Sequence, residues 1–273
     1  MKAFEIGAKK TIVFFLHGLR GHAYAQQGAL QHMVKNLGVT MVSLELPGHG
    51  EDSFKQHCMV PNFRVLVQDI KHEIMLRSQQ AEQVILMGYS FGGALMSLAA
   101  YELEQDDDFK PTVAGFIGIS TAFDVAHNVP GWQVALSGSI APVSRFLYRN
   151  ARPLSRLVTI GEMNVEKISR DLSVQKSISN DDLVYKGRIP LNTSAQVHQA
   201  GLAAKANLNN VNFPVLLQHS KDDGIALAPE PDTFAKHVKL NLYENLRHNC
   251  IDGLSRSVVH SRKAITQFIV EKL

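Results

Sequence analysis

Short apolar runs alternate along the chain with segments whose apolar residues recur every three or four positions. Thr11-Ile-Val-Phe-Phe-Leu16, Val39-Thr-Met-Val-Ser-Leu44, Val84-Ile-Leu-Met87, Val113-Ala-Gly-Phe-Ile-Gly-Ile119 and Pro214-Val-Leu-Leu-Gln218 read as buried strands. Ala3–Ile6 reads as a leading strand and Lys239–Tyr243 as the last one. Helices are expected over Tyr24–Asn36, Phe63–Gln79, the run from Ala94 to Ala100, Pro229–Val238 and Leu254–Leu273. In the second of these, Phe63, Leu66, Val67, Ile70 and Ile74 fall on one face. Strands alternating with helices imply an α/β fold, a mostly parallel sheet with helices on both faces. From about Phe123 to Ala206 the alternation is lost. Residues 1–122 and 207–273 are therefore expected to form the core, and 123–206 an inserted cap over the sheet's C-terminal edge.

The pattern is most specific at Gly88-Tyr89-Ser90-Phe91-Gly92, which fits G-x-S-x-G between a buried strand and a helix-forming run. A serine on so sharp a turn has a strained backbone, and side chains two residues either side would collide. Glycines at 88 and 92 remove them, so the Ser90 hydroxyl projects above the sheet edge. The helix that follows offers backbone N–H groups to a developing oxyanion.

A serine hydroxyl needs a base, and the base needs an orienting acid. After the strand at 214 comes His219-Ser-Lys-Asp222-Asp223-Gly224, a loop with two available carboxylates. After strand 239–243 comes Glu244-Asn-Leu-Arg-His248-Asn249. His237 precedes that strand and His260 falls inside the closing helix, which leaves His248 as the base. The chain order Ser, Asp, His is the one this strand–turn–helix setting calls for. His17, His49 and His219 read as structural loop residues, and no H-x-x-H or carboxylate cluster points to a metal.

On these motifs the chain resembles the α/β-hydrolases, and among them the monoglyceride lipase and lysophospholipase branch. Where that branch has H-G-x-G-E-H after its first long strand, this chain has His17-Gly18-Leu19-Arg20-Gly21-His22. Its D-x-x-G-H-G-x-S appears as Glu45-Leu-Pro-Gly48-His49-Gly50, with Ser53 one residue late. Asp181-Asp-Leu-Val-Tyr-Lys-Gly187 is similar to the branch's D-P-L-V-x-H-G. The likeness spans nearly the whole chain and is weakest over 125–175. It implies an α/β-hydrolase fold and ester hydrolysis on monoacyl lipids without a cofactor. The branch's H-G-x-x-D spacing, counted from Pro214, lands on Asp223 as the acid. The oxyanion is then met by the backbone N–H groups of Leu19 and Phe91. Arg20 departs from the branch's glycine and Gly21 from its acid, so the acyl pocket's size and polarity need not follow the family's.

Composition narrows the partners. Of 273 residues 45% are hydrophobic and 19% charged, ordinary for a globular enzyme. The formal net charge of +3 is too small to point to nucleic acid, and none is expected as a partner. Cys58 and Cys250 form neither a disulfide framework nor a zinc spacing and fit a reducing cytoplasm. The apolar run after Lys9-Lys10 is too short for a signal peptide and lacks a small-x-small cleavage site. Val84 to Tyr101 has the length of a membrane span, but its glycines and the serine turn favour strand–turn–helix. Two rival readings differ in class: a peptidase, which calls for a cap acid to anchor a substrate ammonium, and a non-catalytic ligand-binding hydrolase fold, in which a damaged triad is usual.

Between Val125 and Gly161 there is no Asp or Glu, only Arg145, Arg149, Arg152 and Arg156. Taking these four from the 28 basic residues leaves 24 against 25 acidic ones, so the positive balance lies in this segment. Their spacing puts them on one face if a helix survives Pro153, beside apolar residues such as Trp132, Phe146 and Tyr148. Such a stripe either rests on an anionic lipid surface, giving peripheral contact at the inner membrane face, or is a solvated arginine face over an apolar cap. Four arginines at about 1 kcal/mol each shift partitioning roughly a thousandfold at low salt. Co-sedimentation with vesicles decides between them. Membrane contact requires binding that depends on anionic lipid and falls when all four become Gln; indifference to both identifies the solvated face.

Overall fold

The computed structural model describes residues 3–6, 10–53, 58–125 and 159–273. In chain order, β1 spans Ala3–Ile6, β2 Thr11–Leu16, β3 Thr40–Leu44, β4 Gln83–Tyr89 and β5 Thr112–Ile119. The two-residue strands β6 (Thr159–Ile160) and β7 (Ile189–Pro190) follow, then β8 (Val215–Ser220) and β9 (Val238–Tyr243). Among the described residues the helices of eight residues or more are α1 Gln27–Val34, α2 Phe63–Arg77, α3 Phe91–Glu104, α4 Leu172–Asn180, α5 Leu191–Asn207 and α6 Arg256–Val270. Seven strands form the main sheet in the order β1-β3-β2-β4-β5-β8-β9. Six run parallel, and β1 joins the edge antiparallel to β3. β6 and β7 make a separate antiparallel ribbon.

Side chains alternate across each strand, and the central strands are apolar on both faces, so both need a helical layer. Ile12, Phe14 and Leu16 of β2 join Val84 and Leu86 of β4 in a core shared with α2, α3 and α5. Val13 and Phe15 join Ile85 and Met87 in a second core under α1 and α6. Each such side chain contributes about 1.5–3 kcal/mol on burial. The parallel strands all end at one edge, where the loops carrying His17, Ser90, Asp223 and His248 emerge.

Helix α5 is well formed, although it lies in the stretch where the sequence pattern loses its alternation. It packs in the α2–α3 layer through Val197, Ala200 and Ala204. Its buried polar residues hold the loop before α2. Thr193 accepts from Val60 N–H at 3.0 Å, and Gln196 Oε1 accepts from Phe63 N–H at 2.9 Å. The reverse holds for Pro229–Val238, expected as a helix: only a 3-10 turn forms, over Pro231–Thr233. Pro231 keeps Glu230 extended, at ψ 143°, and Phe234 is extended where its ring packs on Phe123. Asn209 then takes the main-chain groups a helix would have used, donating to Thr233 O and accepting from Ala235 N–H.

The four arginines and the apolar residues around them lie outside the described residues. Among the described residues no helix is long and apolar enough to cross a membrane. Two glycines in helices make opposite predictions. A Cβ at Gly201 of α5 would lie 2.0 Å from the Ala122 carbonyl, whereas one at Gly28 of α1 would meet nothing within 4 Å. In urea unfolding, Gly201→Ala is expected to lose about 3 kcal/mol or more, and Gly28→Ala to gain about 0.5–1 kcal/mol.

Candidate active site

Ser90 joins β4 to α3 with φ 55° and ψ −120°, a region few residues other than glycine enter. Main-chain bonds from other elements hold it there. Its N–H donates to Ile119 O at 2.9 Å, and its carbonyl accepts from Ala122 at 3.1 Å and Ala94 at 3.2 Å. The flanking glycines are needed for close approach. A Cβ on Gly88 would stand 2.5 Å from Gly92 O, and one on Gly92 only 2.2 Å from His17 O and 2.4 Å from Leu16 O. The second contact goes beyond the local collision expected from the pattern: Gly92 makes room for the end of β2.

The Ser90 hydroxyl lies 2.7 Å from His248 Nε2, and His248 Nδ1 lies 2.7 Å from Asp223 Oδ2. A neutral imidazole with its proton on Nδ1 donates to the carboxylate and accepts from the serine. All three groups are buried, and the Tyr89 ring backs the imidazole at 5.2 Å. Asp222, the other carboxylate of the loop, is turned away: it meets Arg170 at 3.2 Å and accepts from Asn245 N–H. His237 Nε2 bonds Leu208 O instead, and His260 is exposed on α6.

Asp223 Oδ1 accepts from the N–H groups of Ile225 at 2.8 Å and Ala226 at 3.0 Å. Its Oδ2 faces His248 and also His219, whose Nε2 is 3.2 Å away and bonds Ala226 O at 3.0 Å. Burial alone would raise this acid's pKa, but the two imidazoles and their hydrogen bonds hold it well below the usual carboxylate range. The carboxylate is therefore ionised at neutral pH. The contact between His219 and Asp223 was not legible as a site feature, although His219 stands at the histidine place of H-G-x-x-D.

Leu19 and Phe91 both line the cavity beside Ser90. Phe91 opens α3, so its N–H has no acceptor within the helix. Leu19 is the second residue of a tight turn closed by Gly21 N–H to Gly18 O at 3.1 Å. The base of that loop is fixed by His17, whose Nδ1 lies 2.8 Å from Gly18 O and whose Nε2 lies 2.7 Å from Glu45 Oε1. Glu45 also accepts from Ala23 N–H at 3.1 Å, which ties the loop's far side to the same carboxylate. The His49 ring lies tilted against that of His17 at 5.4 Å; burial pushes its pKa down to about 3, so it is neutral there. The histidines at 17, 49 and 219 thus sit in the supporting frame.

The site opens into a cavity of about 950 Å³. Ala122, Val125, Val184, Ile189, Val197 and Ile225 supply apolar lining, and Gln26, Ser173, Ser177, Asp252 and Arg262 polar lining. Asp252 was not expected at the site. Burial raises its pKa although Asn249 donates to it at 2.7 Å. Among the described residues no group of three or more His, Cys, Asp or Glu could hold a metal.

The profile of the family described as "Serine aminopeptidase, S33" matches residues 7–252. Monoglyceride lipase of Rattus norvegicus is 25% identical over 266 residues, covering 93% of this chain and 81% of that protein. Among solved structures, the monoacylglycerol lipase of Paleococcus ferrophilus superposes with a TM-score of 0.74 at 18% identity, covering 100% of this chain and 99% of that one. A soluble variant of monoglyceride lipase from Saccharomyces cerevisiae, in complex with a substrate analog, gives 0.75 at 16% identity, covering 99% and 92%. The fold expected from the motifs is the fold observed, and the match over residues 7–252 places the chain in the serine aminopeptidase S33 family of α/β-hydrolases, with monoglyceride lipases among the proteins it resembles.

Proposed function

We propose that this chain is a serine carboxylic-ester hydrolase that cleaves monoacyl lipids, monoacylglycerol or lysophospholipid, through an acyl-enzyme on Ser90. The observation that carries the reading is the continuous chain of two 2.7 Å contacts from Ser90 through His248 to Asp223, at the floor of a cavity large enough for a lipid chain. His248 Nε2 takes the hydroxyl proton as Ser90 Oγ attacks the ester carbonyl. Asp223 keeps the imidazole in the tautomer that can accept and stabilises the imidazolium that forms. The tetrahedral oxyanion is met by the N–H groups of Leu19 and Phe91. His248 then protonates the leaving alcohol, and water repeats the sequence to release the acid. In this reading the described residues from Gly161 to Ile189 belong to the cap and contribute cavity wall, while α5 belongs to the helical layer of the core.

The peptidase reading gains the carboxyls of the cavity wall: Asp252, and from the stretch expected as cap Glu162 and Asp181. Asp181 is already paired with His22 at 2.8 Å and Asp252 with the Asn249 amide at 2.7 Å, and Ala122, Val125, Val184, Ile189, Val197 and Ile225 give the wall a large apolar side, so esters fit better.

Three measurements test the proposal. Ser90→Ala is expected to abolish fluorophosphonate labelling and cut ester turnover by at least about a thousandfold while leaving the melting temperature within a few degrees. Residual turnover above about a tenth would falsify the mechanism. Among p-nitrophenyl esters, monoacylglycerols, lysophospholipids and aminoacyl p-nitroanilides, the monoacyl lipids should give the highest kcat/KM; a preference for the anilides identifies a peptidase. Asp223→Asn should lower kcat by about 10⁴, because the imidazole loses its useful tautomer, whereas Asp222→Asn should change it by less than about threefold. Equal small losses at both positions remove this loop from the mechanism.

A further inference from the structure

Arg20 stands at the centre of the turn that carries the Leu19 N–H, and its backbone is left-handed at φ 72°. An arginine gains nothing intrinsic from that conformation, which glycine adopts freely. Its side chain crosses to the opposite side of the site. Nη2 donates to Gly161 O at 2.6 Å, and Nη1 donates to Gly187 O and, at 3.3 Å, to Tyr185 O. Gly161 directly follows β6 and Gly187 lies two residues before β7. The guanidinium therefore bridges the two backbones just beyond the last paired residues, Ile160 and Ile189. Tyr185 completes the attachment: its N–H donates to Arg20 O at 3.0 Å, and its ring lies 5.9 Å from the guanidinium carbon. One turn away, His22 Nε2 meets Asp181 Oδ2 at 2.8 Å. On its other side the turn is backed by Cys58, a buried thiol that packs with Leu19, Tyr185 and Ile189. Burial lowers the pKa of the Arg20 guanidinium, yet an arginine stays charged at any ordinary pH.

We propose that Arg20 is a positioning residue for the oxyanion hole: its planar fork fastens the cap's β6–β7 ribbon to the Gly18–Gly21 turn and so fixes the aim of the Leu19 N–H. The proposal rests on the hydrolase reading above. It explains why the side chain that replaces a glycine need not fill the acyl pocket, since its polar end is spent on three main-chain carbonyls. A fork is required because the carbonyls of Gly161 and Gly187, just outside the two strands, must be held at once; a lysine ammonium is a point donor on a flexible stem.

The test compares wild type with Arg20→Met, Arg20→Lys and Arg20→Gly on p-nitrophenyl butyrate. Turnover is expressed per Ser90 titrated with a fluorophosphonate, so unfolded protein does not enter. Loss of one oxyanion donor costs about 100- to 1000-fold, so a misaimed donor should lower kcat about 10- to 100-fold in Arg20→Met. KM should stay within about threefold, because the contact matters in the transition state and not in substrate binding. Affinity for phenylboronic acid, whose serine adduct is tetrahedral, should weaken by a comparable factor. Arg20→Lys should recover only a small part. Should Arg20→Met fail to fold, Arg20→Gly, which has no left-handed penalty, is expected to show the same loss of kcat. An unchanged kcat in the Met or Gly variant, a loss confined to KM, or full recovery with Lys overturns the positioning role while leaving the hydrolase reading intact. A wild type that neither labels nor turns over the ester overturns the hydrolase reading, and the role of Arg20 falls with it.

Discussion

The backbone of Ser90 is the constraint around which the site is arranged. A serine at φ 55° is held only where its neighbours leave no relaxed alternative, and here they belong to three different elements. Ile119 at the end of β5 takes its N–H, Ala122 beyond β5 bonds its carbonyl, and the carbonyls of Leu16 and His17 press against Gly92. The sheet order makes this possible, because β2 and β5 are the two neighbours of β4. Leu16 pairs with Gly88 and Ile119 with Tyr89, so both adjoining strands end level with the turn. The nucleophile and the loop facing it are thus set by backbone packing before any side-chain chemistry is considered.

Electrostatics completes what packing begins. Asp223 is buried and Asp252 half-buried in the walls of one cavity, yet their pKa values move in opposite directions. Both lose hydration. Asp223 receives two backbone N–H groups and faces two imidazoles, enough to keep it ionised. Asp252 has the Asn249 amide as its closest donor, and burial prevails. The number and charge of the donors facing a carboxylate, and not its depth alone, decide which way its pKa moves.

Much of this was legible in the residues. The buried strands were visible because both faces are apolar, and Ser90 and His248 could be placed because they follow strands that end at one edge. Choosing Asp223 over Asp222 needed the family's spacing; both carboxylates follow β8, and only the loop's course shows that one faces Arg170. Helix α5 was hidden because Thr193 and Gln196 face inward and serve the loop before α2, so polar residues occupy positions a periodicity search expects to be apolar. The error at Pro229–Val238 has the opposite cause: local propensity gave way to Asn209, about 25 residues earlier, which binds the main chain of Thr233 and Ala235. The course of the Arg20 side chain could not be read at all, because its partners lie more than 140 residues away.

Strand β5 has its own consequence for how the chain comes to be folded. Its partner β8 begins at Val215, so 95 residues separate two strands that lie side by side. Closing a loop of that length costs about 4 kcal/mol of chain entropy before the first ladder bond forms. At ordinary rates of synthesis, about 5–20 residues per second, β5 waits roughly 5–20 s for its neighbour to be made. Through that interval Phe116, Ile117 and Ile119 stand on an unpaired edge, able to add a strand from another chain. The stretch between β5 and β8, part of which supplies wall to the cavity, therefore also sets the time during which the nascent chain is open to aggregation.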